Sequence, residues 1–159
     1  MRVTRLLAIG LILVIAASGC TTSEPSLKEA AAELQKDTQR LETDDVFKNP
    51  LKKLRILQRP DKDIPCDKDK FRRVLRATAD YERKTPDLDG HLDLAETLME
   101  NMLAQRLGYK LNFDLSQTDM EDGRFIYGMK TNPEVKVTVY VAPESPTWRL
   151  HAITACLPR

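Results

Sequence analysis

The sequence is poor in the residues that build metal and redox centres, with three cysteines and two histidines among 159 residues. So few soft ligands cannot build a rich metal or redox centre, which disfavours a zinc protein. An excess of one charge is also missing, because 25 Lys and Arg stand against 24 Asp and Glu, a formal net charge of +1. Nucleic-acid binding depends on a basic excess, so this balance argues against DNA or RNA as a partner.

Sequence motifs of catalysis are absent as well. The chain has no glycine-rich phosphate loop and no His-Glu-x-x-His metal motif. Neither Ser116 nor Ser145 lies in the Gly-x-Ser-x-Gly context of a hydrolase nucleophile. The two histidines, His91 and His151, have no evident sequence partner. We therefore predict a protein without enzymatic activity.

The first 19 residues have the pattern of an export signal. Arg2 and Arg5 precede an apolar run over residues 6–17, which ends in Ala17-Ser18-Gly19-Cys20. A bilayer-spanning helix needs about 20 apolar residues, so this shorter run favours a cleaved signal peptide over a retained anchor.

The Ala-Ser-Gly-Cys segment resembles the lipobox of bacterial lipoproteins, although Ala17 stands where that family most often has Leu. The resemblance implies cleavage before Cys20, lipid such as palmitate on that cysteine, and a cell-membrane anchor facing the extracytoplasmic side. Residues 1–19 would then be the signal peptide and residues 20–26 the lipidated tether. The closing Thr-Ala-Cys-Leu-Pro also resembles small envelope lipoproteins of unassigned function. An ordinary secretory signal with a chance cysteine is the alternative.

Lipid on Cys20 would leave Cys66 and Cys156 as an even pair in an oxidising compartment. We predict a structural disulfide bond between them. In the chain-entropy model, closing the loop between Cys66 and Cys156 stabilises the fold by at most about 4 to 5 kcal/mol. Neither cysteine lies in a Cys-x-x-Cys motif, which disfavours a catalytic thiol.

The mature chain predicts an α+β fold in two parts, a helical N-terminal segment over 27–65 and an α+β domain over 66–159. Ser26 and Glu29 match a capping box before a helix at about 27–45. A basic stretch follows over residues 48–63. It predicts a second short helix with Leu51, Leu54 and Leu57 inward. The alternative is that its charges attract anionic lipid headgroups or acidic wall polymers.

The second part predicts a strand, a helix and a four-stranded antiparallel meander. Residues 70–82 fit both a helix and a strand, and we favour the strand. The next helix has Asp93 and Glu96 as its capping pair and ends at Gly108. Four segments then alternate apolar with mostly polar residues, at 109–115, 125–129, 135–141 and 148–156.

Residues 85–96 resemble the twelve-residue calcium loop of EF-hands. The matching positions are the third, fifth, sixth, ninth and twelfth, occupied by Asp87, Asp89, Gly90, Asp93 and Glu96. The resemblance implies that the four carboxylates bind Ca²⁺, although Thr85 replaces the usual first Asp. A turn followed by a helix cap explains the same residues without a metal.

Together these patterns predict a membrane-anchored, extracytoplasmic lipoprotein that binds an envelope protein or a ligand without catalysing a reaction. A calcium-binding module is the alternative. The sequence identifies neither the partner nor the surface that would bind it.

Overall fold

A computed structural model describes residues 25–83, 86–120 and 123–159, with the backbone alone at 117–120. These ranges contain two α-helices, α1 (Leu27–Thr43) and α2 (Leu88–Asn101), and a π-helical turn, Met102–Arg106, continues α2. The strands are β1 (Arg55–Gln58), β2 (Ile64–Asp67), β3 (Lys70–Arg72), β4 (Val74–Ala79), β5 (Lys110–Leu111), β6 (Gln117–Met120), β7 (Gly123–Thr131), β8 (Glu134–Val141), β9 (Trp148–Thr154) and β10 (Leu157–Pro158).

The strands form two antiparallel sheets. The main sheet has the order β1-β4-β9-β8-β7-β5, with β6 also paired to β7, and the small sheet has the order β10-β3-β2. The predicted α+β class is confirmed. The strand favoured for 70–82 is present as β3 and β4. The first strand of the meander is shorter than predicted, because residues 113–115 form a turn after β5.

Helix α1 begins as the sequence predicts. The Glu29 amide donates to Ser26 Oγ at 3.3 Å, and the Ser26 amide donates to Glu29 Oε2 at 2.9 Å. This capping box satisfies amides that have no partner within the helix. The helix ends two residues before the predicted position, because Asp44 accepts a hydrogen bond from the Val46 amide and starts a 3-10 turn.

The prediction of a second helix near residue 51 is wrong. One 3-10 turn, Pro50–Lys52, leads into β1, which pairs with β4. Leu51 and Leu57 are largely exposed, whereas Leu54 and Ile56 pack against the core. The pattern is too short for periodicity to separate a helix from a strand. Pairing with β4, in which Ala77 lies opposite Ile56, decides between them.

The predicted disulfide bond between Cys66 and Cys156 is confirmed. Cys66 lies in β2, and Cys156 lies between β9 and β10. The bond therefore joins the small sheet to the end of the last long strand of the main sheet.

The core lies between the two helices and one face of the main sheet. Helix α1 packs on β8 and β9, and α2 packs on β7 and β8. Alternate residues of β8, the valines from Val135 to Val141, are buried on this face. Trp148 is buried there too, and its indole N–H donates to the Ala95 carbonyl in α2 at 3.0 Å. The sheet face that carries these residues is called the core face below.

Strand β7 departs from the rule that an alternating strand buries its apolar set. Its core-face residues are Arg124, Ile126, Gly128 and Lys130, and Phe125, Tyr127 and Met129 lie on the opposite face. A Cβ at Gly128 would lie 3.2 Å from Tyr109 Cβ, so glycine lets Tyr109 pack closely over the strand. Polar side chains thus occupy both ends of a buried strand face.

Lys130 is the centre of a buried polar network that joins β7 to α1. Its Nζ lies 2.7 Å from Glu33 Oε1 and 2.7 Å from Asp37 Oδ1, and the Tyr109 hydroxyl donates to Asp37 Oδ2 at 2.8 Å. The Asp37 side chain is 1% exposed. Burial raises the pKa of Asp37 against the opposing effect of Lys130, whereas the hydrogen bond from Lys130 lowers the pKa of Glu33.

We predict that Lys130→Met lowers the free energy of unfolding by about 3 kcal/mol at neutral pH, because it leaves buried carboxylates without their cation. The loss should shrink in acid. The pKa of Asp37 is raised in the folded state, so protonation of its carboxyl stabilises the fold. This contribution is present at low pH and is lost as the pH rises through the folded-state pKa. Denaturant unfolding at several pH values measures the difference.

The control is Lys136→Met, since Lys136 is exposed on β8 and its ion pair is with the exposed side chain of Glu134. It should change the stability by less than about 0.5 kcal/mol. Equal losses for the two variants, or a loss at Lys130 that does not vary with pH, would contradict the role given to the network.

Candidate functional site

The face of the main sheet opposite the helices is called the open face. Its β7 part carries Phe125, Tyr127 and Met129, which are half-buried or exposed. The Phe125 and Tyr140 rings lie 4.8 Å apart, and the Phe125 and Tyr127 rings 6.3 Å apart. This places a strip of aromatic side chains along two neighbouring strands, on the side where no helix packs among the described residues.

A tight turn over residues 112–116 borders this strip. The Asn112 amide donates to the Tyr127 carbonyl at 2.8 Å, and the Tyr127 amide donates to Ser116 Oγ at 3.2 Å. Asn112 Oδ1 also accepts from the Asp114 amide at 3.1 Å, as in an Asx turn. The turn is therefore fixed to β7 by hydrogen bonds to the carbonyl and the amide of Tyr127.

This turn holds two large apolar side chains in solvent. Phe113 is 69% exposed and Leu115 is 58% exposed, and Met129 beside them is 38% exposed. They make up half of the large hydrophobic residues that are exposed in the described ranges. Single exposed apolar residues are ordinary, but a contiguous group held by a rigid turn is typical of a binding surface.

The turn and the open face enclose a groove of about 700 Å³, called the sheet groove. A volume of this order suits a small ligand. Lys110 and Lys136 pair in register with Met129 from its two sides, and Thr131 and Asp114 also line the groove. The sheet groove thus combines an apolar floor with two basic side chains.

Further basic residues continue across the open face. Arg76 in β4 pairs in register with His151 in β9, and the pKa of His151 is lowered by burial and by Arg76. Arg149 lies over the Tyr140 ring at 5.5 Å and contacts Glu144 Oε1 at 2.6 Å. The half of the open face nearer β4 is therefore mainly basic, and the half nearer β5 is mainly apolar.

The calcium-loop residues lie in a different setting from the one predicted. Helix α2 begins at Leu88, so Gly90, Asp93 and Glu96 are helical and cannot form a turning loop. Asp87 is the actual N-cap, because its Oδ2 accepts from the Gly90 amide at 3.1 Å. The predicted capping pair of Asp93 and Glu96 is wrong for the same reason.

The carboxylates of this segment contact a protein cation. Arg124 Nη2 lies 3.2 Å from Asp89 Oδ1 and 3.3 Å from Asp93 Oδ1, and Arg124 Nε is 4.0 Å from Glu96 Oε2. The guanidinium of β7 thus lies among three of the four proposed ligands. No cluster of metal-binding side chains is found in the described residues. Thr85, the first position of the proposed loop, lies outside them.

The remaining predicted residues divide between the core and the undescribed part of the chain. His91 is buried in α2 and stacks on Tyr81 with ring centroids 5.6 Å apart. Burial is the main cause that lowers its pKa, followed by the charge of Arg83. Cys20 and the export signal lie outside the described residues, so their assignment stays a prediction. No helix in the described ranges is both long and apolar enough to cross a membrane.

Sequence reasoning missed the sheet groove. The sequence of β7 carried one signal, because aromatic residues alternate with positions that include Arg124 and Lys130. Whichever face packs on the core, either charged residues are buried or aromatic residues are exposed. Comparison of the chain with known protein families, curated proteins and solved structures finds no match. The function is therefore argued from the chemistry of the sheet groove and the open face.

Proposed function

We propose that the protein is a membrane-anchored, extracytoplasmic lipoprotein whose domain binds a ligand or an envelope partner through the open face, without catalysing a reaction. The observation that carries this proposal is the group of Phe113, Leu115 and Met129, held in solvent beside the sheet groove. Burying such side chains against a partner contributes roughly 25 cal/mol per Å² of apolar surface.

The rigidity of the site supports binding. The 112–116 turn is held by hydrogen bonds to both polar backbone groups of Tyr127, so the backbone that carries the exposed side chains needs little ordering when a ligand arrives. The face opposite the groove is fixed by the Lys130 network, which lies next to Met129 along the strand. The groove is lined by apolar, basic and hydroxyl side chains, which suit recognition.

The anchor part of the proposal rests on the lipobox-like segment before Cys20. We predict that the wild-type chain incorporates labelled palmitate in growing cells. Cys20→Ser should abolish this label and release or mislocalise the protein, because the chain would then lack the cysteine that carries the lipid. An unlabelled wild-type chain would exclude the lipoprotein assignment. The variant Cys66→Ser provides the control, since it breaks the bond to Cys156 but keeps Cys20, so the label should stay in place.

The binding part is tested by site-specific photo-crosslinking in intact cells. A benzophenone amino acid at Tyr127 should give a discrete adduct, resolved by mass spectrometry of the purified chain. The same group at Thr97, an exposed position on α2, should not give it. Replacing both Phe113 and Leu115 by Ser should remove the adduct at 127 while the melting temperature stays nearly constant. Equal adducts at both positions, or none at 127, would contradict binding at the open face.

A further inference from the structure

Resting on the proposed function, we propose that the sheet groove binds an amphiphile with an apolar chain and an anionic head, that is, a lipid of negative charge. The apolar chain would lie against Phe113, Leu115 and Met129. The head would lie between Lys110 and Lys136, the two lysines that are in register with Met129 on its two sides.

The charges at the groove favour an anionic head. Lys110 and Lys136 are both exposed, and Asp114 is the acidic residue that lines the same groove. Lys136 Nζ lies 3.2 Å from Glu134 Oε1, but both side chains of this pair are largely solvated. An exposed pair of this kind is weak, so a carboxylate or phosphate can take its place at small cost.

The backbone of the groove disfavours a peptide as the occupant. A peptide strand would bind by adding to a free sheet edge. Beside the groove, however, the main sheet ends in β5, which has only the two residues Lys110–Leu111, and the 112–116 turn takes the polar backbone groups of Tyr127. A ligand in the groove therefore contacts mainly side chains, some apolar and some charged. An amphiphile, with its apolar chain and charged head, fits both kinds of contact.

The position of the groove agrees with a lipid source. Lys130, next to Met129 on β7, contacts Glu33 and Asp37 of α1 through the core face, so the lysine end of the groove lies at the end of the sheet that carries the N-terminal half of that helix, on the opposite face. Glu33 is about 9 Å along the helix from Leu27. The predicted tether over residues 20–26 spans at most about 25 Å. A lipid anchor on Cys20 would keep this end of the domain close to the bilayer.

The test uses the exported full chain carrying Cys20→Ser, so that no attached lipid competes for the groove. Titration calorimetry at low salt compares dodecanoate with dodecyltrimethylammonium, which has the same chain length and the opposite charge, both below their micelle concentrations. We expect saturable binding of dodecanoate and much weaker binding of the cation. Butanoate, which has the head without the chain, should not bind.

Charge reversal at the groove gives the sharpest comparison. Lys110→Glu with Lys136→Glu should weaken dodecanoate binding about tenfold and strengthen binding of the cationic amphiphile. The matched control reverses two exposed lysines elsewhere, Lys28→Glu with Lys68→Glu, and should change neither affinity by more than about twofold. If the groove pair fails to fold, Lys110→Gln with Lys136→Gln replaces it, with a smaller loss expected.

Equal binding of both amphiphiles, or an equal effect of the control pair, would overturn the proposal. Binding to anionic vesicles without binding of dodecanoate would also overturn it, because that result indicates attachment to a lipid surface rather than occupancy of the groove. A peptide adduct at position 127 together with no amphiphile binding would reject the lipid and keep the proposed function. Absence of any adduct at position 127 in the chain with intact Phe113 and Leu115 would reject the proposed function.

Discussion

The burial of two cations on one face of β7 is the constraint on which the arrangement of the fold depends. Arg124 at one end contacts carboxylates of α2, and Lys130 at the other end contacts carboxylates of α1. Removing a charge from water is costly unless an opposite charge and hydrogen bonds replace the lost hydration. Each helix supplies those carboxylates, so both helices must lie on the same side of the sheet.

This constraint also determines what the other face displays. Because successive side chains of a strand point to opposite faces, burial of Arg124 and Lys130 leaves Phe125, Tyr127 and Met129 outside. A one-residue shift in register would bury the aromatic residues and expose the cations. The ion pairs oppose that shift, since it would leave the carboxylate of Asp37 buried without Lys130. The binding surface and the helix packing are thus consequences of one register.

Local patterns in the sequence predicted the elements whose signals are short-range. The Ser26 and Glu29 capping box and the strands of even alternation such as β8 are present in the structure. The even number of cysteines left after Cys20 also predicted the bond between Cys66 and Cys156, which are 90 residues apart. Other features that depend on distant partners were missed. Strand β1 is a strand because β4 pairs with it. The start of helix α2 at Leu88 rather than near Asp93 was missed although its cap is local, because the Asp87 side chain accepts a hydrogen bond from the nearby Gly90 amide.

Prediction of the candidate site from the sequence failed for the same reason, because the site depends on contacts between residues that are distant along the chain. No local signal distinguishes the exposed Phe113 and Leu115 from two more core residues of an alternating strand. Their exposure follows from the Asx turn at Asn112 and from its hydrogen bonds to Tyr127, which lies 15 residues further along the chain. The acidic residues that resembled a calcium loop belong instead to the contacts of Arg124.

Oxidation of methionines by dilute hydrogen peroxide, mapped by mass spectrometry of the native protein, tests the orientation of β7 most directly. Met129 is 38% exposed on the open face, whereas Met99 and Met102 are each 3% exposed in the core. Oxidation depends on access to the thioether, so Met129 should form its sulfoxide rapidly while Met99 and Met102 stay protected until the protein unfolds. Protection of Met129 equal to that of Met99 would show that β7 buries its aromatic face, and would contradict the account.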